Sequence, residues 1–450
     1  MFMQTSIARV AGVACLLVGG SVWAQGPAPA APDSAASAPG PATAASGPVV
    51  TASAPHRVMR AKRPPPPSAV NPLENSAAFQ AYMAALAELA PLMQNRDESA
   101  RLDQIAQFEF SAATRQKIAP YFANNPRPLH LTVNKSAPGR AQVDVALDGL
   151  DYLDASTGAY ARSANLTAQS LYSRGYTQSH TTGSMAWLSV NDGEGTRVGA
   201  RDLSFQSDTH KGSTSLWVGK AQAKLQSVTV DSAAGTHLQM GPFAMTAETK
   251  EAGRWMQLDW DSRVESIDWG TDHTGPVHWV MRASHLESQA VARYAETAQQ
   301  LALIEPSLAK RMSASLAAMK ELSQSLRHNG ATLDLQDLSV QYHGASAGLS
   351  GRVTLDAQKD ADSSDWESLK SALHIHFKLH VPVRLIALLA KGFGSAPEAA
   401  AQAQQRVDQT LAKLKQDKWI RIDHDTVLTT LDFEKGQLTV NGKLFELPKL

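Results

Sequence analysis

The stretch WMQLDWDSRVESIDW, residues 255–269, is the part of the sequence that decides the fold class. Side chains of a β-strand point alternately to the two faces of a sheet, so alternation predicts a strand with one buried and one solvated face. Paired carboxylates can also act as acid and base in catalysis, but their alternation with apolar residues favours a solvated face. The two sets are Leu258, Trp260, Val264 and Ile267 against Asp259, Asp261, Glu265 and Asp268.

Segments with the same period-two pattern follow one another from Leu129 to Arg282, about ten to twelve residues apart. Gly, Asp, Asn and Ser cluster between them, as is typical of turns. Successive antiparallel strands joined by short turns are the simplest topology for such a pattern. The other segments are LHLTVN (129–134), QVDVALDGL (142–150), NLTAQSLYS (165–173), MAWLSV (185–190), VGARDLSF (198–205), AKLQSVTV (223–230), HLQMGPFAM (237–245) and VHWVMRAS (277–284).

Apolar residues at helical spacing predict amphipathic helices before and after this region. Gly330 follows one of them and suits the left-handed residue that ends a helix. The sequence therefore predicts an α+β, β-rich fold, in which a long antiparallel meandering sheet has amphipathic helices packed on one face. The predicted helices cover 75–93, two short segments near 102–108 and 118–122, and then 285–304, 308–328, 384–393 and 395–415; strands WIRIDH, TVLTTLDF and QLTVNG follow.

The chain is long enough for roughly two or three domains' worth of core. We expect five segments along it. They are a signal peptide over 1–24, a disordered Ala/Pro/Ser-rich linker over 25–73, a helical segment over 74–128, an antiparallel β-rich region over 129–284 and an α+β region over 285–450.

The first residues resemble a secretory signal. Arg9 precedes a short apolar core, and Val22 and Ala24 supply the small residues that favour cleavage after Ala24. The alternative is an uncleaved anchor that tethers the protein to the inner membrane, although this apolar run falls short of the ~20 residues that span a bilayer comfortably. The only cysteine, Cys15, lies inside this segment. A mature chain would then have no thiol for a disulfide, a nucleophile or a metal ligand.

Charge argues against nucleic acid as a partner. The 42 basic residues balance the 42 acidic ones, so no global positive field is expected. The linker carries one small basic cluster that could contact anionic lipid headgroups or cell-wall polymer, although an ordinary solvated linker is the simpler interpretation. The cluster consists of Arg57, Arg60, Lys62 and Arg63.

The C-terminal order of elements resembles a known family. A strand LHIHFKLHVPV runs into an apolar helix, an Ala/Gln/Lys-rich helix follows, and two strands end in GQLTVNGKLFEL (436–447) with a turn at Asn441-Gly442. Over residues 371–447 this resembles the YdgA-like family of bacterial cell-envelope proteins, a domain of unknown function. The resemblance implies an envelope location, a β-rich extracytoplasmic body and no assigned chemistry. It supplies no catalytic, cofactor or metal residues.

Four further motifs have structural interpretations. Gly344 to Gly348 matches the G-x-S-x-G pattern of serine hydrolases around Ser346, but it lies between two strands and predicts a hairpin turn. His273 and His278 flank Thr-Gly-Pro, which predicts a polar turn rather than paired ligands. The tryptophans predict core or interface packing, with a carbohydrate or lipid platform as the alternative; they are Trp255, Trp260, Trp269 and Trp279. The acidic residues Asp356, Asp360, Asp362 and Asp365 predict a mobile loop, since a calcium loop would need a glycine and a terminal glutamate.

Three histidines in SALHIHFKLHVP (371–382) suggest a metal site at first sight. His374, His376 and His380 share one strand face, but His380 lies about 13 Å beyond His376 in an extended strand. Lys378 stands between them and disfavours a cation. A His-x-His zinc site would need a further ligand from another strand, so we predict no metal, no cofactor and no catalytic residues from these motifs.

Two functions are consistent with the sequence. The first is a non-enzymatic periplasmic cell-envelope protein that binds a lipid, another amphiphile or an envelope protein through its sheet and helices. The alternative is an envelope hydrolase acting on an ester or cell-wall substrate, with a site assembled from distant histidines and acids. A spacer role for the linker is a third hypothesis, since nearly fifty residues in polyproline geometry reach on the order of 150 Å.

Overall fold

The computed structural model describes residues 77–95, 97–214, 216–270, 272–304, 308–357, 370–391 and 397–445. The expected signal peptide and linker, with the basic cluster, lie outside the described residues. Most of the acidic loop, at 358–369, does too.

The described residues form α-helices of 7 to 22 residues and strands of 3 to 16 residues. The helices are α1 (Ala77–Gln94), α2 (Glu98–Ala106), α3 (Ala112–Ile118), α4 (Ser288–Ile304), α5 (Leu308–Asn329), α6 (Val383–Lys391) and α7 (Pro397–Gln416). The strands are β1 (Leu129–Ala137), β2 (Arg140–Leu147), β3 (Asp151–Leu153), β4 (Tyr160–Ser163), β5 (Leu166–Ser173), β6 (Gln178–Asn191), β7 (Arg197–Lys211), β8 (Trp217–Leu225), β9 (Ser227–Asp231), β10 (His237–Ala252), β11 (Trp255–Trp269), β12 (Asp272–Glu287), β13 (Ala331–Tyr342), β14 (Ala345–Leu355), β15 (Leu373–Pro382), β16 (Arg421–Asp423), β17 (Thr426–Glu434), β18 (Gln437–Val440) and β19 (Lys443–Phe445).

All of these strands belong to one antiparallel sheet of 19 strands, which confirms the predicted meander. From β10 to β15 each strand pairs with the next one along the chain. β8 and β9 lie end to end between β7 and β10, and each pairs with both of these strands. Two helical insertions do not interrupt the order, since β12 pairs with β13 across α4 and α5, and β15 pairs with β17 across α6 and α7. The β-rich and α+β segments therefore share one sheet.

The register gives the sheet an apolar face and a polar face. Directly opposed residues project to the same side, so one row of neighbours can be followed across β10 to β18. On one side this row reads Ala247, Trp260, Met281, Leu335, Gly351, Phe377, Leu431 and Val440. We call this side of β10 to β18 the apolar face.

The polar face carries a ladder of ion pairs. Asp259 accepts from Arg282 Nε at 2.5 Å and lies 3.5 Å from Lys250 Nζ. Arg352 pairs with Asp334, and His376 Nδ1 lies 2.5 Å from Asp432 Oδ1. Opposite charges on neighbouring strands satisfy one another in water. The alternation predicted for β11 is thereby confirmed for Asp259.

The helices pack on the apolar side, as expected, and among the described residues buried clusters join them to the sheet at two places. Leu102 and Ile105 of α2 pack on Val143, Val145 and their neighbours in β1, β2 and β5. Opposed residues connect Val145 through β5 to β8 with Met245, so this surface continues into the apolar face. The second place is the end of β13 to β17. There Leu385 of α6 packs on Tyr342 and Ala345, and Leu411 of α7 packs on Val427.

Turn chemistry fixes three of the hairpins. His343-Gly344, Lys435-Gly436 and Asn441-Gly442 each hold two successive residues at positive φ, which is the geometry of two-residue hairpins with strand-compatible twist. The Asn441-Gly442 turn and the hairpin around Ser346 were predicted. Gly330, with φ 78°, ends α5 as predicted.

Several strands are longer than their sequence pattern predicts. The prediction of a turn at Thr274-Gly275-Pro276 is wrong, because these residues lie within β12. Gly275 has φ 134°, and a Cβ there would lie 2.5 Å from the carbonyl oxygen of Glu265 on β11. Only glycine permits this close approach of two strands.

Candidate functional site

Two tryptophans form the centre of the apolar face. Trp260 on β11 and Trp279 on β12 are diagonal neighbours, because Trp260 lies opposite Met281 and Trp279 lies opposite Ser262. Their ring centroids are 6.5 Å apart with the planes at 50°. Such tilted aromatic pairs add to the energy of area burial. They place a broad aromatic surface at the middle of the sheet.

A second row of apolar residues runs beside the first. It passes through Met245, Ser262, Trp279, Leu338, Leu349 and Leu379. Two of these side chains are open to solvent, since Leu338 is 38% exposed and Leu379 is 39% exposed. Leu333, in a third row with Val353 and Ile375, is also 38% exposed. Large apolar side chains are therefore exposed to solvent on the apolar face of the sheet, the kind of face that most proteins bury.

The exposed leucines belong to an extended apolar surface. At ~4.8 Å between strands, the row from Ala247 to Val440 spans eight strands, or about 35 Å. Three rows at alternate residues add about 13 Å in the strand direction. Typical exposed apolar patches on monomers cover a few hundred Å² and often mark a binding site. The rows cover an area comparable to such a patch, and most of their side chains are half-buried.

Helix packing leaves the middle of this face outside the buried core. Within the described chain, the buried clusters that join helices to the sheet contain neither tryptophan of the central pair, nor Met281, Leu338 or Phe377. The indole Nε1 of Trp260 has almost no exposed area and no hydrogen-bond acceptor. An N–H left unpaired in this way costs about 1–3 kcal/mol, and this atom is itself shielded from solvent by the surrounding side chains.

The chemistry of the apolar face is that of a binding surface for hydrocarbon. Its residues are aliphatic, aromatic and methionine side chains, and methionine adapts its shape to irregular ligands. The polar side-chain atoms on the rows described are the indole N–H groups of Trp260 and Trp279 and the hydroxyl of Ser262. Side chains of this kind offer van der Waals contact and exclude water, and none on the rows described carries a carboxylate, an imidazole or an ammonium group.

The structure separates the tryptophans that the sequence grouped together. Trp269 lies at the end of β11 and is 61% exposed. Trp255 lies at the other end, with its ring 5.9 Å from that of His285 and beneath the Arg254 guanidinium at 4.4 Å. Only the other two share the centre of the apolar face. The sequence did not single out Met245, Met281, Leu338, Phe377 or Leu379 as neighbours, because cross-strand pairing brings them together.

The histidines of the 371–382 stretch lie on the polar face, opposite Phe377 and Leu379, as the alternation predicts. His374 Nε2 lies 2.9 Å from Asp356 Oδ2, and His376 pairs with Asp432. The ring of His380 covers Gly348, where a Cβ would lie 2.3 Å from its Cε1. Each of the three thus has a different neighbour. Among the residues that the structure describes, no three His, Cys, Asp or Glu side chains are placed to hold one metal ion.

The remaining motifs are also dispersed. Ser346 lies in β14 opposite Gln341, directly after the two-residue turn, and therefore not on a strand-to-helix elbow. The neighbouring His343 lies 3.6 Å from Asp272. His273 pairs with Asp268 at 2.6 Å, whereas His278 lies between Asp337 at 2.8 Å and Asp261 at 3.0 Å.

Comparison with known proteins gives one match. A protein-family model described as "Bacterial protein of unknown function (DUF945)" matches residues 79–448. No curated protein and no solved structure matches the chain. Within the described residues, no helix is both long enough and apolar enough to cross a membrane.

Proposed function

The chain belongs to the DUF945 family of bacterial proteins of unknown function, and we propose that it binds an amphiphile along the apolar face as a non-enzymatic protein of the cell envelope. The ligand class is a lipid or another molecule with a long hydrocarbon chain. A second envelope protein covering the same face is the competing partner.

The observation that supports this proposal is the pair of apolar rows through Trp260 and Trp279. They run side by side across the strands, and Leu338 and Leu379 on them remain exposed. A hydrocarbon chain has the length and the chemistry to lie along such rows. Burying apolar area contributes about 25 cal/mol per Å², so a single acyl chain would gain several kcal/mol from this surface.

The envelope location is supported by the sequence. The N-terminal segment resembles a cleavable signal, and residues 371–447 resemble the YdgA-like type of envelope protein. In this proposal the protein works in the periplasm, tethered to the inner membrane if the signal is retained. The basic cluster of the linker would then contribute a peripheral contact with anionic headgroups or cell-wall polymer.

The test compares two neighbouring residues on opposite faces. Leu379 lies on the apolar face, and Lys378, one residue earlier on β15, lies on the polar face opposite Ser350. Leu379→Glu places a carboxylate in the path of the hydrocarbon chain, whereas Lys378→Glu is the matched control with the same new side chain. The full chain and both variants are purified, and lipid retained by each is extracted and quantified by mass spectrometry. Binding of a fluorescent fatty acid is then titrated.

We expect the wild-type chain and Lys378→Glu to bind the fatty acid alike, and Leu379→Glu to bind it at least tenfold more weakly. A charge on an apolar contact surface must be desolvated, and this cost is of that order or larger. Equal binding by both variants, or no binding by the wild-type chain, would refute the proposal. If the wild-type chain retains a protein partner and no lipid, and Leu379→Glu loses that partner, the face is a protein-docking surface.

A further inference from the structure

A groove on the polar face, formed by β1 to β8, takes no part in the proposed amphiphile binding. It is open to solvent and has a volume of about 670 Å³. Its floor is one row of directly opposed residues across six strands, in the order β1, β2, β5, β6, β7 and β8. The row reads Thr132, Asp144, Gln169, Thr182, Gln206 and Gln222. We call this the polar groove.

The polar groove differs in chemistry from the rest of the polar face. Over β10 to β17 the side chains are mainly charged and pair across strands, as Asp259 does with Arg282. The groove is lined instead by amides and hydroxyls, with Asp144 and Lys224 as opposite charges within it. A ligand in this groove therefore meets many hydrogen-bonding groups and little net charge.

Part of this hydrogen-bonding capacity is unused. Among the described residues, the side chains of Thr132, Thr182 and Gln222 have no hydrogen-bond partner within the chain. Asp144, in contrast, is held in place, because it accepts from Gln142 Nε2 and from Gln169 Nε2, each at 2.8 Å. The groove thus combines an oriented carboxylate acceptor with side chains that can both donate and accept.

The spacing of the row restricts the ligand further. Neighbouring strands lie ~4.8 Å apart, so the six residues of the row offer one polar side chain per strand over a length of about 24 Å. A sugar unit in an extended β-linked polysaccharide occupies nearly the same length as one strand spacing. Sugar hydroxyls, like the groove, both donate and accept hydrogen bonds. A polyanion such as nucleic acid would need several cations, and here it would meet Asp144.

We propose that the polar groove binds an uncharged polysaccharide chain in extended conformation, lying across strands β1 to β8. The groove and the apolar face are on opposite sides of one sheet. Sugar binding is therefore independent of amphiphile binding, and either can fail without the other.

The test uses cellohexaose and chitohexaose as probes. Isothermal titration calorimetry of the full chain measures their affinity, and the double variant Thr182→Ala/Gln222→Ala removes two of the unused hydrogen-bonding groups. Gln336→Ala is the matched control, since Gln336 is an exposed strand residue on β13 outside the groove. Thermal unfolding of each variant checks that the fold is retained, which is expected because the substituted side chains have no partner in the chain.

We expect saturable binding of at least one hexasaccharide, unchanged affinity for Gln336→Ala and about tenfold weaker binding for the double variant, as the loss of two hydrogen bonds implies. The proposal is overturned if neither sugar binds, or if Gln336→Ala weakens binding as much as the double variant. Tighter binding of a sulfated hexasaccharide than of the neutral ones would also overturn it.

Discussion

Trp260 of β11 and Trp279 of β12 contact each other on the apolar face, although apolar and charged residues alternate along β11. Their centroids are 6.5 Å apart, while Asp259 and Asp261 on the same strand point to the other face and pair with Arg282 and His278. The two faces of the sheet, one apolar and one charged, are thus separated only by the thickness of a single strand. This relationship underlies both the proposed amphiphile binding and the stability of the sheet.

Replacing Trp260 by phenylalanine should have little effect on stability. The smaller ring loses contact area, but the change also removes an indole N–H that has no acceptor, and the two effects oppose each other. We expect the free energy of unfolding to change by less than about 1 kcal/mol for Trp260→Phe and to fall by about 3 kcal/mol for Trp260→Ala. Urea unfolding followed by far-UV circular dichroism measures both. Similar losses for the two variants would show that the N–H is satisfied.

Glu98 should be important for holding α2 on the sheet. Its carboxylate is only 6% exposed and pairs with Arg101 and, at 3.3 Å, with Lys211 Nζ on β7. Glu98→Gln leaves two cations without their counter-charge, so we expect a loss of about 3 kcal/mol in the free energy of unfolding. The matched control is Glu109→Gln, because Glu109 is 62% exposed and pairs with Arg115 at 3.1 Å. The control should lose less than about 1 kcal/mol, and an equal loss in both variants would contradict the assigned role.

One histidine should make stability depend on pH in a defined direction. The hydrogen bond to Asp231 raises the pKa of His237, and the charges of Asp231 and Asp268 act in the same direction against partial desolvation. A pKa raised in the folded state means that the pair stabilises the fold at pH values below the unfolded pKa. The contribution is lost as the pH rises through the folded pKa.

We therefore expect His237→Gln to be less stable than the wild-type chain at about pH 5.5. The two should be equally stable at about pH 9, where His237 is neutral in both the folded and the unfolded state of the wild-type chain. Denaturant unfolding at a series of pH values measures the difference. His210→Gln is the control, since His210 lies on β7 without an acidic partner among the described residues. A difference for His237→Gln that stays constant across this pH range would exclude the Asp231 pair as its cause.

Two glycines of β14 should respond differently to alanine. A Cβ on Gly351 would lie 2.2 Å from the carbonyl oxygen of His376, a backbone atom of the paired strand, and 2.3 Å from the Phe377 ring. A Cβ on Gly348 would meet the ring of His380, which is exposed and can turn away. We expect Gly351→Ala to lower the free energy of unfolding by about 2–3 kcal/mol and Gly348→Ala by less than about 1 kcal/mol.

Thermal or urea unfolding of the two alanine variants measures the loss of stability in each. The prediction requires the larger loss for Gly351→Ala. The reverse order would mean that β14 and β15 do not approach each other as closely as described. Phe377 would then no longer be explained as filling the place of the missing Gly351 side chain on the apolar face.

Local chemistry made the elements predictable. Alternation in 255–269 predicts β11, and helical spacing predicts α4 to α7 to within a few residues, because side-chain direction follows from the backbone period alone. Strand ends were less predictable. β6, for example, begins at Gln178, and its first residues, QSHTTGS, carry no apolar alternation. They become strand because they pair with β5 and β7 on either side.

The sequence by itself determined a two-faced antiparallel sheet, since most strands carry their own division into apolar and polar sides. It also placed the three histidines of 371–382 on a polar face. Tertiary structure alone decided which side chains are neighbours. The Trp260–Trp279 contact, the exposed row through Leu338 and Leu379, and the groove over Thr182 and Gln222 all depend on register. Register arises from pairing between strands that are distant along the chain, and a shift of one residue would exchange the two faces.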